Sequence, residues 1–240
     1  MPDLNTVKGA IACPVSVVIP TYGREQVLID TIGYLLQQQL AAAEILVMDQ
    51  TEQHTFDVEG MLHGWSRDSV IRWHRLGQPS ITAAMNRGLN AAQSPIVLFL
   101  DDDIIPAAGL VRGHCECYSD PRVWAAVGQV LQPGQVEIDA DASDVQRGAG
   151  LRADLGFPFN SSRRALVRNC MAGNLSVRRE QAIGTGGFDE NFRGIAHRFE
   201  TEFARRIVRC GGAVLFEPAA SIRHLQASAG GTRSYSDRLR

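Results

Sequence analysis

Three consecutive carboxylates follow an apolar run in this chain. Val97–Leu100 is apolar, and Asp101, Asp102 and Asp103 come directly after it. If the strand continues, Asp101 and Asp103 point to the same side, and two charges ~4 Å apart repel by roughly 4 kcal/mol at an effective dielectric of ~20. Mg²⁺ or Mn²⁺, which accept oxygen ligands, would remove that repulsion. The pattern indicates either a cation site able to bridge a diphosphate or a solvated acidic turn.

The first half of the chain alternates between short apolar segments and helical patterns. Three apolar segments predict strands, VSVVIP at 15–20, EILVMD at 44–49 and PIVLFL at 95–100, and the alternating VIRWHRL at 70–76 predicts another. Helical spacing covers 24–40, and Ser80 is placed to cap a second helix. Fully apolar strands that alternate with helices predict a parallel sheet covered on both faces.

The carboxyl ends of these strands carry the polar residues. Ligands of such sheets bind outside the carboxyl ends of the strands. Tyr22–Arg24, Asp49 and Asp101–Asp103 all fall at such ends. We therefore expect them to meet at one edge of the sheet.

The second half of the chain is less regular. Strands are predicted over 123–133, within 170–180 and over 213–218, and a helix is predicted over 196–210. Residues 134–165 are rich in Gly, Asp, Ser and Arg and indicate a long mobile segment. Since no linker divides the chain, we expect a single domain.

Composition excludes several classes of protein. With 240 residues and 45% apolar content, the chain can form a substantial core. Its 24 basic and 26 acidic residues argue against a nucleic-acid partner. No apolar segment predicts a transmembrane span, and five cysteines without a CxxC pair indicate reduced thiols. We expect a cytoplasmic protein, with peripheral contact at the inner membrane face left open.

An ordered set of motifs runs from about Val15 to about His224. The motifs are VSVVIPTYGRE, EILVMDQTE, AAMNRGLNAAQSPIVLFLDDDIIP, GNLSVRRE, GGFDENF, FETEFARRI and SIRH. This set resembles the family 2 glycosyltransferases of the GT-A fold. The resemblance implies an α/β protein with a Rossmann-like, mostly parallel central sheet, helices on both faces and one domain. It also implies an inverting enzyme that uses a nucleotide-sugar donor.

The same resemblance divides the chain. Residues 1–14 form an N-terminal lead, and residues 15–225 form the GT-A domain. Within that domain, 15–106 would bind the nucleotide and 107–225 would bind the sugar and acceptor. Residues 226–240 would form a C-terminal lid or a frayed tail.

Nucleotide contacts are implied at the edge of the sheet and in the helix after Ser80. They are Thr21, Tyr22, Arg24, Asp49, Gln50, Asn86, Asp101 and Asp102. Asp49 matches the aspartate that bonds the base, whereas Gln50 replaces a second aspartate and Met85 replaces a common arginine. UDP, dTDP and GDP donors therefore all stay open.

The resemblance implies a metal site and a donor-sugar pocket. Asp103 and His224 would hold Mn²⁺ or Mg²⁺. Gly173 and Asn174 would shape the pocket for the sugar. Arg233 would clamp phosphate from a lid hinged at Gly230 and Gly231.

The predicted base is Glu200, at the start of the late helix. Removal of the acceptor proton needs a carboxylate there, and the register of FETEFARRI with the family favours Glu200. Glu202 is the competitor, although Arg205 and Arg206 at helical spacing would explain it as an ion pair.

The expected activity is an inverting, metal-dependent transfer of a sugar to a hydroxyl of a glycan, lipid-linked or small-molecule acceptor. Two alternatives stay open. One is a noncatalytic nucleotide-sugar-binding relative, and the other is a nucleotidyltransferase with a similar sheet. The sequence leaves the oligomeric state open.

Overall fold

Nine strands form one sheet in the computed structural model, which describes residues 14–140, 155–232 and 234. Within these residues, the strands are β1 Val15–Thr21, β2 Glu44–Asp49, β3 Arg72–Arg75, β4 Ile96–Leu100, β5 Ile104–Pro106, β6 Val123–Leu131, β7 Ala165–Val167, β8 Asn174–Arg178 and β9 Ala213–His224. The α/β class predicted from the sequence is confirmed.

The helices pack on both faces of this sheet. Their bounds are α1 Gln26–Leu35, α2 Phe56–Arg67, α3 Ile81–Ala91, α4 Leu110–Cys117, α5 Arg179–Gly184 and α6 Phe199–Arg209. Ser80 caps α3 as predicted, since its side chain accepts a hydrogen bond from the Ala83 N–H at 3.3 Å.

The sheet runs in the order β3-β2-β1-β4-β8-β6-β9-β5, with β7 against β9. The four strands of the first half are parallel to one another, as predicted. In the second half, β6 and β9 are parallel, whereas β8 is antiparallel to both β4 and β6, and β5 and β7 are antiparallel to β9. The sheet as a whole is therefore mixed, and the prediction of mostly parallel strands holds for the first half of the chain. Strand direction depends on the path of the connections, which apolar composition does not report.

Both faces of the central strands are buried. Along β1 and β4, Val18 and Phe99 enter one apolar cluster, while Val17 and Leu98 enter the cluster on the opposite face. Because successive side chains of a strand alternate between faces, an apolar run fills both layers. This packing fixes the end of β4, where the aspartates begin.

The late helix begins later than its apolar pattern predicts. A start at Ala196 was expected, but α6 begins at Phe199. Ala196 and Arg198 have φ values of 48° and 68°, and this left-handed conformation interrupts a right-handed helix. Glu200 therefore lies in the first turn of α6.

Strand β9 is longer than predicted, because it continues past Pro218 to His224. Gly128 of β6 is opposite Glu217, whereas the next residue, Gln129, is opposite Ser221. A bulge of three residues in β9 accounts for this shift. Beyond the bulge, β9 pairs with β5, and His224 lies opposite Ile104.

The described ends of the 134–165 segment are attached to the sheet. Ile138 forms a bridge with Ser161, and the Gln129 side chain donates a hydrogen bond to the Ser161 carbonyl at 3.0 Å. The prediction of a long mobile segment is therefore wrong for these parts. Residues 141–154 lie outside the described residues.

Candidate active site

Two of the three aspartates meet His224 at the carboxyl edge of the sheet. The Nε2 atom of His224 lies 3.1 Å from an Asp103 carboxylate oxygen and 3.7 Å from one of Asp101. One ligand atom from each of the three residues lies within 4.8 Å of the others. The structure thus brings Asp101, which the sequence pattern places beside Asp103 and the resemblance assigns to the nucleotide, together with Asp103 and His224 in one cluster, which we call the acidic group.

The donor set of this group fits a divalent cation. The Nδ1 atom of His224 lies 2.9 Å from the Gln132 side-chain oxygen, and Nε2 faces the carboxylates of Asp101 and Asp103. A cation bound between Nε2 and the carboxylates would take the place of the Nε2 proton, while the Nδ1–H donates to Gln132. Two carboxylates and an imidazole are ligands that suit Mn²⁺.

The two carboxylates differ in their proton affinity. Burial alone would raise the pKa of Asp103, but His224, the Ala227 N–H and Arg24 hold it below its ordinary value. Burial raises the pKa of Asp101, and the neighbouring Asp103 charge adds to the rise. Asp103 is therefore the more strongly anionic member of the group.

Asp102 points away from this group. It accepts hydrogen bonds from the Thr21 hydroxyl at 2.7 Å and from Arg24 Nε at 3.1 Å. Burial raises the pKa of Asp102 to about 7 despite these two donors. Thr21, Arg24 and Asp102 were each predicted to contact the nucleotide. In the structure Asp102 bonds the other two, and all three line a cavity of about 200 Å³ together with Tyr22 and the acidic group.

The segment after β9 lies over this cavity. Arg24 donates to the carbonyls of Ala227 and Ala229, and it also pairs with Asp103 at 3.1 Å. The Ala227 N–H donates to the Asp103 carboxylate at 2.7 Å, and the Gly231 N–H donates to the Tyr22 carbonyl at 2.7 Å. A frayed tail is therefore wrong for residues 225–232. Arg233 lies outside the described residues.

A second cavity, of about 210 Å³, contains Glu200 and Asp101. Burial raises the pKa of Glu200, and the negative charge of Asp101 adds to the rise. Glu202 instead forms a two-pronged ion pair with Arg206, at 2.9 and 2.6 Å. The ion pair expected for Glu202 is thus present, and Glu200 is the glutamate that shares a cavity with the acidic group.

Gly173 supports Asp101 at the wall of this second cavity. The Asp101 N–H donates to the Gly173 carbonyl at 3.2 Å, and a Cβ at position 173 would overlap the Asp101 carboxylate. The structure therefore brings Gly173 to the site as the surface against which Asp101 packs.

Comparison with known protein families shows the family to which this chain belongs. The profile of glycosyl transferase family 2 matches residues 16–171, which is more than half of the chain. The chain belongs to glycosyl transferase family 2. Membership of this family of glycosyltransferases sets the nucleotidyltransferase alternative aside. None of the curated proteins matches the chain.

Solved structures show that this family 2 chain has the GT-A glycosyltransferase fold. A mannosyltransferase, PcManGT from Pyrobaculum calidifontis in complex with GDP-Man and Mn²⁺, is similar with a TM-score of 0.66 and 18% identity over 89% of this chain and 57% of its own. GalNAc-T7 with UDP, GalNAc and Mn²⁺ has a TM-score of 0.67 and 15% identity, over 88% of this chain and 43% of its own. This chain thus spans about half the length of these structures.

None of the helices in the described part of the chain has the length and apolar composition needed to cross a bilayer. The cytoplasmic location, the peripheral membrane contact and the division of the chain at residue 106 stay predictions.

Asp49, the predicted contact to the nucleotide base, is enclosed by neighbouring side chains. Asp49 is fully buried, and it accepts from His54 and Trp73 at 2.9 Å each and from the Thr51 N–H at 2.8 Å. Burial alone would raise the pKa of Asp49, but these donors hold it below its ordinary value. A direct contact between Asp49 and a base is therefore wrong for this conformation.

Gln50, next in sequence, is also turned inward. Its side-chain oxygen accepts a hydrogen bond from the Ser80 N–H, so it helps to fix the start of α3. The nucleotide contact expected of Gln50 is therefore replaced by a structural one in this conformation.

Two further expected contacts are structural. The Asn86 side chain donates to the Phe188 carbonyl and accepts from the Phe188 N–H, both at 2.8 Å, and so joins α3 to the segment between α5 and α6. Asn86 lines neither the cavity of the acidic group nor the cavity of Glu200. Asn174 is fully buried, with its oxygen 2.8 Å from His114 Nε2 and its amide on the Gln129 and Ala220 carbonyls. Asn174 therefore has no surface to offer a donor sugar.

Sequence reasoning missed His54, Trp73 and Gln132. The parallel register of β2 and β3 places Trp73 beside Val47, two residues before Asp49, and this register is readable once both strands are assigned. His54 is a lone histidine in a polar stretch, and Gln132 follows a strand. The sequence contains no signal for these two residues.

Proposed function

We propose that this family 2 chain is a glycosyltransferase that moves a sugar from a nucleotide-sugar donor to an acceptor hydroxyl with inversion at the sugar carbon. The observation that carries this proposal is the position of Asp101, which lines both the cavity of the acidic group and the cavity of Glu200. A cation site and a half-buried carboxylate on adjacent cavities are the two parts that a direct displacement requires.

The donor side consists of the acidic group and the segment above it. Asp101, Asp103 and His224 would hold Mn²⁺ or Mg²⁺, which offsets the charge of a leaving nucleoside diphosphate. Mn²⁺ accompanies a GDP-sugar in one similar structure and UDP in the other. UDP, GDP and dTDP sugars are therefore the donors to test.

The acceptor side is the cavity of Glu200. Its carboxylate would take the proton of the acceptor hydroxyl, and the attack would come from the face of the sugar opposite the diphosphate. Burial raises the pKa of Glu200 and thereby makes it a stronger base. Glu202 is held by Arg206 on the other side of α6.

The segment after β9 would exclude water from the donor. Gly230 and Gly231 have φ values of 75° and 69°, and a Cβ on Gly230 would overlap the Gly23 backbone. Two glycines in a left-handed conformation allow this segment to lie directly on the loop after β1. We propose that residues 225–232 form the base of a lid, and the phosphate clamp at Arg233 stays a prediction.

Thermal shift tests the donor side. We expect UDP, GDP or dTDP sugars to raise the melting temperature in the presence of Mn²⁺, and we expect H224A to abolish the metal-dependent part. R112Q, at an exposed arginine of α4, is the control. If no donor gives a metal-dependent shift, the proposal for the donor site fails.

Donor hydrolysis tests turnover. A catalyst releases the nucleoside diphosphate from the matching donor in the presence of Mn²⁺, even without acceptor. The noncatalytic alternative predicts a metal-dependent shift with no release at any donor concentration. Transfer to glycan, lipid-linked and small-molecule acceptors would then identify the acceptor class.

A further inference from the structure

A basic groove runs along the outer side of α6. It has a volume of about 790 Å³, within the range of ligand pockets. We call it the arginine groove, because its lining includes Arg168, Arg198, Arg205, Arg206 and Arg209. The formal net charge of the whole chain is −2, so a cluster of arginine side chains is a local feature of this groove.

The spacing along α6 explains this concentration. Glu202, Arg205 and Arg209 follow one another at steps of three and four residues, which places them on one side of α6. Arg198 is the residue before α6 and lines the same groove. Arg168 joins these residues from the loop that is tied to α6 by the hydrogen bond between Thr201 and Asn169, at 2.8 Å.

The charge in the groove is only partly compensated. Glu202 is the acidic residue among the lining residues, and both of its oxygens are engaged by Arg206. Arg168 and Arg209 are exposed and make no ion pair with any residue that the structure describes. Several guanidinium groups around one groove attract an anion with more than one negative charge, and their planar forks match phosphate oxygens.

The arginine groove adjoins the cavity of the proposed base. His197 and Arg198 line both the groove and the cavity that contains Glu200. Arg168 belongs to the same loop as Met171, which also lines the Glu200 cavity. A phosphate held in the groove would therefore position the rest of the same molecule toward Glu200.

We propose that the arginine groove binds a phosphate or diphosphate group of the acceptor, so that the acceptor is a phosphate-bearing hydroxyl compound. This inference rests on the proposed function, since it names the acceptor class of the same site. The phosphate is either that of a soluble sugar phosphate or that of a lipid-linked diphosphate, and the groove recognises the chemistry that they share.

The test uses inorganic pyrophosphate without any divalent cation, measured by calorimetry. We expect R168Q/R209Q to weaken pyrophosphate binding at least about tenfold, because each lost charge-assisted hydrogen bond removes a large part of the affinity. The matched control is R67Q/R112Q, which removes two exposed arginines of α2 and α4 that line neither the groove nor the Glu200 cavity. Equal affinity in both double variants would overturn the proposal.

Vesicles separate this site from a membrane-docking surface. Vesicles of phosphatidylglycerol and of phosphatidylcholine are compared with and without pyrophosphate. Binding to the anionic vesicles that R168Q/R209Q abolishes and pyrophosphate does not displace would overturn the proposal in favour of a bilayer surface. Weak vesicle binding that pyrophosphate displaces would support it. A water-soluble sugar phosphate and a lipid-linked diphosphate, each tried as competitor, then distinguish the two sources.

The experiments distinguish failure of the arginine-groove proposal from failure of the proposed function. Pyrophosphate binding needs neither donor nor metal, so it is measured even if no transfer occurs. The metal-dependent thermal shift with donor is expected to be unchanged in R168Q/R209Q, which also reports that the variant is folded. Once transfer is measured, the variant should raise the KM for the acceptor and leave the KM for the donor unchanged.

Discussion

Gly173 lies directly against the carboxylate of Asp101, so closely that a Cβ at position 173 would overlap it. The same glycine accepts the Asp101 N–H, which fixes the backbone and the side chain of Asp101 together. The position of Asp101, a proposed ligand of the cation, thus depends on the absence of a side chain at position 173.

G173A should therefore weaken metal binding without removing a ligand. We expect the Mn²⁺ concentration that gives half of the donor-dependent thermal shift to rise about tenfold, as for changes that reorient a metal ligand. G60A is the control, because a Cβ there meets nothing and Gly60 lies within α2. An unchanged Mn²⁺ midpoint in G173A would show that Asp101 is not a ligand.

E200Q should abolish proton removal and leave the donor site intact. We expect kcat to fall by about 10²- to 10⁴-fold, the usual contribution of a general base. E202Q should lose an ion pair worth less than about 1 kcal/mol and keep most of its turnover. If E202Q is inactive and E200Q is active, the base is Glu202 and the register of the late helix with the family is wrong.

The pH profile of turnover should reflect the raised pKa of Glu200. A base acts in its deprotonated form, so activity increases as the pH rises through that pKa. Burial and the Asp101 charge raise the pKa above the ordinary glutamate value of 4.5, and the acid limb of kcat/KM should lie above 4.5 accordingly. An acid limb at or below the ordinary value would contradict the assignment.

H54Q should destabilise the fold in a pH-dependent way. Burial lowers the pKa of His54, but Asp49 and Glu25 outweigh it and raise the pKa above 6.5. The added stability is complete below pH 6.5 and is lost as the pH rises through the raised pKa. We expect H54Q to lose about 2 kcal/mol of unfolding free energy in urea at pH 6, and less at pH 9.

The control for that measurement is H197Q, at an exposed histidine before α6. It should change the unfolding free energy by less than about 0.5 kcal/mol at either pH. Equal losses for H54Q at both pH values would mean that the charge of His54 does not contribute to stability.

R24Q should release the segment after β9. The substitution leaves Asp102 and Asp103 buried without their guanidinium partner, which we expect to cost about 3 kcal/mol of unfolding free energy. It also removes the donor to the Ala227 and Ala229 carbonyls, so limited proteolysis should cleave within 225–232 sooner than in R112Q. Cleavage at the same rate in both variants would show that Arg24 does not hold the segment.

Much of the first half of this fold is readable from sequence. Buried strands are short apolar runs that end in polar residues, so β1, β2 and β4 end close to their predicted positions. Ser80 is a local signal for a helix start, because its hydroxyl bonds a backbone N–H three residues later. These features depend on neighbours in sequence, and sequence reports them well.

The parts that sequence did not predict depend on distant contacts. Asp49 looks available at a strand end, but Trp73 and His54 close over it. Arg24 looks like a loop cation, but its partners Ala227 and Ala229 lie about two hundred positions away in the chain. Composition and spacing carry no information on such pairings, which appear only when the sheet and the segment after it are assembled.

The three-residue bulge between Glu217 and Ser221 means that chain length as well as chemistry brings His224 to Asp101 and Asp103. An odd number of extra residues reverses the face that every later side chain of a strand presents. A related chain that keeps Asp101, Asp103 and His224 but has one residue more or fewer in this bulge would contain the complete motif without the site. The number of residues between the motifs is therefore as informative as the motifs themselves when this chain is compared with its relatives.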